Sequence, residues 1–148
     1  MISKYILTIV PVALCVTVHA LVISLLLRRL IRCKRNEAFS FWKRAWELVW
    51  LTGWLIVVHV FEIGIWAVYY LFGRAMPDVH SALYFSAVTY TTVGYGDLVL
   101  PEGWHMIGGV EALTGILMCG LSTGFFFAIV NRMYQGRYNG KDSDKTTG

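Results

Sequence analysis

The chain has 148 residues, of which 57% are hydrophobic and 15% charged, with a formal net charge of +4. That balance excludes an ordinary soluble domain, in which about 25% of residues are charged. The Lys and Arg surplus flanks apolar stretches, so it reads as a topology signal and not as a nucleic-acid footprint.

Three stretches reach the roughly 20 apolar residues that a bilayer-crossing helix needs; they cover about residues 5–27, 48–72 and 104–130. The expected fold is an all-α membrane protein. Its segments are an N-terminal transmembrane helix (1–27), a basic cytoplasmic or interfacial linker (28–47), a main membrane domain (48–132) and a polar, glycine-rich tail expected to be disordered (133–148).

In chain order, Tyr5–Leu27 is apolar nearly all round, with Pro11 in its first turns and His19 near its middle. Val18-His19-Ala20 resembles a signal-peptide cleavage site, yet the apolar run continues to Leu27 and ends in a basic cluster. That is a stop-transfer pattern, so the helix is expected to be retained. Arg28, Arg29, Arg32, Lys34, Arg35, Lys43 and Arg44 follow it, and Arg132, Arg137, Lys141 and Lys145 follow the last crossing. The opposite side holds only Lys4 and Arg74. The positive-inside rule then puts the 28–47 loop and the C-terminus in the cytoplasm and the N-terminus outside. The expected location is the plasma (inner) membrane, with anionic lipid heads against the basic loop.

Asn36–Glu47 mixes Phe39, Phe41, Trp42 and Trp46 with Lys43 and Arg44. It either lies along the headgroup layer or forms the wet end of the second crossing. Leu48–Phe72 is that crossing, and Gly73–Pro77 breaks it. Asp78 stands where an N-cap would, ahead of a helix over His80–Thr91. About 12 residues cannot span a bilayer, but they suit a re-entrant segment. The last crossing carries Gly108, Gly109, Gly115, Gly120 and Gly124, which permit close packing or bending. Cys15, Cys33 and Cys119 support no disulfide, and no metal-ligand spacing is visible along the chain.

Between the short helix and the last crossing lies Thr91-Thr92-Val93-Gly94-Tyr95-Gly96-Asp97. Residues 92–96 can line up backbone carbonyls around a dehydrated cation. Carbonyls aimed at one axis need backbone angles of alternating hand, and glycine takes the left-handed ones without steric cost. These seven residues resemble the pore loop of potassium channels. Leu48–Arg132 looks like the outer helix, pore helix, selectivity filter and inner helix of such channels. Ala82-Leu83-Tyr84-Phe85-Ser86 and Glu111-Ala112-Leu113-Thr114-Gly115 are similar to small prokaryotic members of the two-helix ion-channel family.

The resemblance implies K⁺ as the transported ion, held by the carbonyls of Thr92, Val93, Gly94 and Tyr95, with Gly96 at the outer mouth. It implies Thr91 and Asp97 as filter support. Irregular backbone at membrane depth must be buried in protein or line water, so a homotetramer around the filter is expected. Two positions depart from familiar members: Val88 stands where some channels carry an acid, and Phe85 where a Trp often bonds the Asp after the filter. Asp97 therefore needs another partner, Tyr84 or Tyr90. Gly115, and next Gly120, match a gating hinge; the alternative is that both are packing glycines. The arginines at 28–35 follow the apolar run instead of sitting within it, so they read as an anchor and not as a voltage sensor.

Ionisable residues at membrane depth are expensive, which singles out His59 and Glu62, three apart on one helix face, and Glu111. Glu62 and Glu111 are expected to contact the back of the pore helix, through Ser86 or Thr89, and so to support the filter. Structural hydrogen bonds without a role in gating are the alternative. His19 reads as a packed or interfacial residue, and His80 and His105 as solvated. An enzyme has no support in the loops. The competing functions are a less selective cation channel and a non-conducting scaffold or regulatory subunit.

Overall fold

A computed structural model describes residues 2–33 and 41–145. It contains five helices: α1 (Ile2–Leu7), α2 (Ile9–Cys33), α3 (Phe41–Phe72), α4 (Val79–Tyr90) and α5 (His105–Lys145). Three spans are long and apolar enough to cross a membrane: Lys4–Arg32, Ala45–Phe72 and His105–Arg132. The chain divides into two compact units, residues 1–118 and 119–148.

The first crossing comes as two helical pieces. Pro11 has no amide to donate to the Leu7 carbonyl, and its ring crowds the preceding turn. The helix breaks at Thr8, whose hydroxyl donates to the Lys4 carbonyl at 2.8 Å. Past the break, α2 buries one stripe, Pro11, Cys15, His19 and Leu26, at helical spacing. Leu14, Leu21 and Leu25 are exposed on its other faces, as suits a lipid contact.

The basic segment is more helical than a linker. α2 runs to Cys33, so it takes in Arg28, Arg29 and Arg32, and residues 41–47 are the first turns of α3. The wet-end reading of 41–47 is the one this geometry matches. Lys34 and Arg35 lie outside the described residues, with the rest of 34–40. The Arg29 guanidinium lies 3.8 Å from the centre of the Trp50 ring, which fastens the end of α2 to α3.

α3 ends in a Schellman turn. The Ala75 amide donates to the Tyr70 carbonyl (2.9 Å) and the Arg74 amide to the Leu71 carbonyl (3.0 Å). The left-handed position there is Arg74 (φ 54°), not the neighbouring glycine. Gly73 is required for space, because a Cβ on it would stand 2.1 Å from the Trp104 ring. Asp78 caps α4 as the sequence suggests, accepting from the Ser81 amide (2.9 Å) and hydroxyl (2.8 Å). Those two bonds favour the carboxylate and hold its pKa below the ordinary value of 3.8.

α5 continues to Lys145, whereas composition assigned 133–148 to a disordered tail, of which 146–148 lie outside the described residues. An existing helix grows by one bond per residue without a new nucleus. Gly136 and Gly140 each cost about 1 kcal/mol against that, which does not end it. The core of the 1–118 unit forms where Cys15, Trp66, Tyr70, Tyr90, Trp104 and Ile107 meet. Its aromatic rings pack edge to face, as with Tyr70 on Phe85 (5.4 Å, 85°) and Tyr69 on Trp104 (5.8 Å, 63°).

Candidate functional site

The loop after α4 begins at Thr91, in right-handed geometry at φ −80°, ψ −1°. From there the backbone alternates. Thr92 (φ 60°), Gly94 (φ 57°) and Gly96 (φ 75°) are left-handed, and Val93 and Tyr95 between them are not. For Gly94 and Gly96 this conformation costs nothing; for Thr92, a β-branched residue, it costs about 1–2 kcal/mol. The end of α4 holds Thr92 there. Its amide donates to the Thr89 carbonyl (2.9 Å), and the Val93 and Gly94 amides both donate to the Val88 carbonyl (3.0 and 3.2 Å). The Thr91 hydroxyl donates to the Ala87 carbonyl at 2.6 Å. The amides of 92–94 thus turn back into α4. Among the described residues, no N–H or O–H donates to the carbonyls of residues 92–96. All seven residues from Thr91 to Asp97 are exposed, with Val93 at 53% and Tyr95 at 72%.

At the far end of the loop, Asp97 accepts from the Tyr84 hydroxyl (2.7 Å) and from the Leu98 amide (3.1 Å). Of its two candidate partners, Tyr84 makes the bond, and Tyr90 turns to Glu62. The carboxylate favours the protonated phenol and raises the Tyr84 pKa above its ordinary 10.0. Between α4 and the loop a small cavity is lined by Phe85, Val88, Thr89, Gly94 and Leu98. The two positions that depart from familiar channels, 85 and 88, are part of its apolar wall, with Leu98 and Val99.

Two buried carboxylates stand behind α4. Glu111 accepts from the Ser86 hydroxyl (2.5 Å) and the Tyr70 hydroxyl (2.7 Å), and Ser86 also lies 2.9 Å from the Ile63 carbonyl. Glu62 accepts from the hydroxyl of Tyr90, the last residue of α4. Its other oxygen lies 2.9 Å from His19 Nδ1, and His59 Nδ1 is 3.4 Å from the first. His19 and Glu62 are fully buried. Among the described residues, no side-chain bond joins Thr89 to either carboxylate. Gly115 packs on the same helix end, where a Cβ would stand 2.0 Å from the Tyr90 carbonyl oxygen. Its bareness is therefore demanded by packing, while Gly120 has no such neighbour within 4 Å.

A family model described as "ion channel" matches residues 54–132, more than half of the chain. The chain belongs to the two-helix ion-channel family. The match takes in most of α3, all of α4, the loop, and α5 as far as Arg132, so this family member carries an added apolar helix, α1–α2, ahead of the matched region. Family membership supports passive ion conduction. No curated protein and no solved structure matches the chain.

Three participants escape a reading of the sequence. His19 looks like any packed histidine, yet it brings a hydrogen-bond partner to Glu62 from outside the family region. Tyr70 and Tyr90 sit among eight tyrosines, and nothing local marks them as carboxylate donors. The available signal is the α2 spacing Cys15, His19, which puts His19 on the face that α2 turns to α3. His80 is exposed, and His105 Nε2 lies 2.7 Å from the Leu100 carbonyl.

Proposed function

We propose that the protein is a K⁺-selective channel that works as a homotetramer, with the ion passing the carbonyls of Thr92, Val93, Gly94 and Tyr95. The observation that carries this reading is the alternating hand of the backbone at 92, 94 and 96, with carbonyls that no group among the described residues satisfies. A polar backbone at membrane depth needs partners. A cation supplies them, and four copies around one axis cover the exposed Val93 and Tyr95 side chains. Glu111, Glu62 and Asp97 act as filter supports through Ser86, Tyr90 and Tyr84. The basic ends of α2 and α5 face the cytoplasm and anionic lipid, with the N-terminus outside in the plasma membrane.

The test is ion flux through the purified full chain in liposomes, with reversal potentials measured in mixed K⁺ and Na⁺. Potassium flux that Ba²⁺ blocks, a strong preference for K⁺ and a four-chain mass in detergent are expected. Equal permeability to the two ions would establish the less selective pore instead, and absence of flux the non-conducting scaffold.

A further inference from the structure

We propose that His19, His59 and Glu62 form a binding site for a divalent transition-metal cation of the zinc class. One ligand atom from each residue lies within 4.8 Å of the others. His19 Nδ1 is 2.9 Å from one Glu62 oxygen, and His59 Nδ1 is 3.4 Å from the other. The two imidazole rings lie 5.2 Å apart between centroids. Tetrahedral zinc, with bonds of about 2.0–2.2 Å to nitrogen and oxygen, holds its ligand atoms about 3.3–3.5 Å apart. The His59–Glu62 pair already has that spacing, and the His19–Glu62 pair, which ends on the other carboxylate oxygen, has to open by about half an ångström.

The donor set fixes the class of ion. Two imidazoles and one carboxylate suit Zn²⁺, Co²⁺ and their neighbours, whereas alkali cations prefer oxygen ligands alone. The site is therefore chemically distinct from the carbonyl column. Its surroundings suit a metal as well. Glu62 and His19 are fully buried, which strengthens any charge interaction they make. The side chain of His59 keeps 19% of its surface. The Tyr90 hydroxyl, 3.1 Å from His59 Nδ1 and bonded to Glu62, borders the site.

The ligands come from both sides of the family boundary, since His19 lies in α2 and the other two in α3. A cation there ties the added helix to the pore unit. It also competes with Tyr90 for Glu62, two residues before the strained Thr92. This effect on flux rests on the channel reading; binding itself does not.

The untagged full chain in detergent, stripped with a chelator, is titrated with Zn²⁺ by calorimetry and with Co²⁺ by visible absorption. One equivalent per chain is expected, with the ligand-field absorption of a four- or five-coordinate cobalt centre. His19→Ala and His59→Gln should each weaken binding at least about 100-fold, beyond what losing an outer-shell partner costs. The double variant His80→Ala with His105→Ala should bind as the wild type does. His59→Gln keeps the volume of a partly exposed residue, so it decides the matter should His19→Ala not fold. Zn²⁺ should change K⁺ flux in the wild type and leave it unchanged in His59→Gln. No saturable binding by the wild type, or undiminished binding by a folded His59→Gln, overturns the inference. A chain that binds Zn²⁺ without conducting refutes the channel reading and leaves the metal site standing.

Discussion

The two ends of α4 are held in opposite ways. Its C-terminal end is buried and fastened from afar: Tyr90 to Glu62 across 28 residues, Ser86 to Glu111 across 25, and Gly115 pressed on the Tyr90 carbonyl. Its N-terminal end and the far end of the loop are exposed and fastened by bonds nearer in sequence: Ser81 to Asp78 across three residues, Tyr84 to Asp97 across 13. Buried bonds have no water to replace them when one partner is lost, whereas exposed ones do. The buried end should therefore tolerate almost no change, and the exposed end should tolerate much.

The sharpest test of that contrast is Glu62→Ala. It removes the buried bonds that His19 and Tyr90 make to the carboxylate, and each buried bond so lost costs about 1–3 kcal/mol. Thermal melting in detergent should show a larger fall in midpoint than any substitution at the exposed end produces, with loss of flux. Next comes Gly115→Ala, where the added methyl meets backbone that cannot step aside; overpacking costs about 1–3 kcal/mol, and this site should lie at the upper limit. Gly120→Ala, with open space around it, should melt like the wild type and conduct normally. Equal effects of the two glycine changes would restore a common hinge role and blur the contrast.

At the exposed end, Tyr84→Phe removes the Asp97 bond but no buried contact, so the midpoint should hardly move. The effect should appear in flux, as a faster decline during sustained conduction. Because the folded phenol has a raised pKa, its bond is fully present below about pH 10 and is lost as pH rises through the folded value. Wild-type flux should therefore carry an alkaline transition that Tyr84→Phe lacks. The smallest effect is expected for Asp78→Ala, a lost cap on an exposed turn. The carboxylate pKa is lowered on folding, so its stabilising contribution is present above pH 3.8 and is lost as pH falls through the folded value. Melting of wild type and Asp78→Ala should differ near neutrality and converge in strong acid. A large Asp78→Ala effect at neutral pH would show that the exposed end, too, is held by more than local bonds.

Much of the fold is legible in the residues alone. Three apolar runs mark the crossings, Asp78 marks the start of a helix too short to span, and Gly94 and Gly96 sit where a left-handed backbone is needed. These features depend on hydropathy, capping and backbone sterics, which act within a few residues. Glu111 and Ser86 also stand out, because a carboxyl at membrane depth demands a donor. What tertiary structure alone decided is which groups meet: His19 with Glu62 over 43 residues, Tyr70 with Glu111 over 41, and the indole of Trp104 over Gly73. It also decided that Gly115 is bare for packing and that α5 runs on past its apolar stretch. The physical reason is range. An apolar side chain looks the same in sequence whether it meets lipid or another helix, and a buried polar group reveals its partner only when the helices are set side by side.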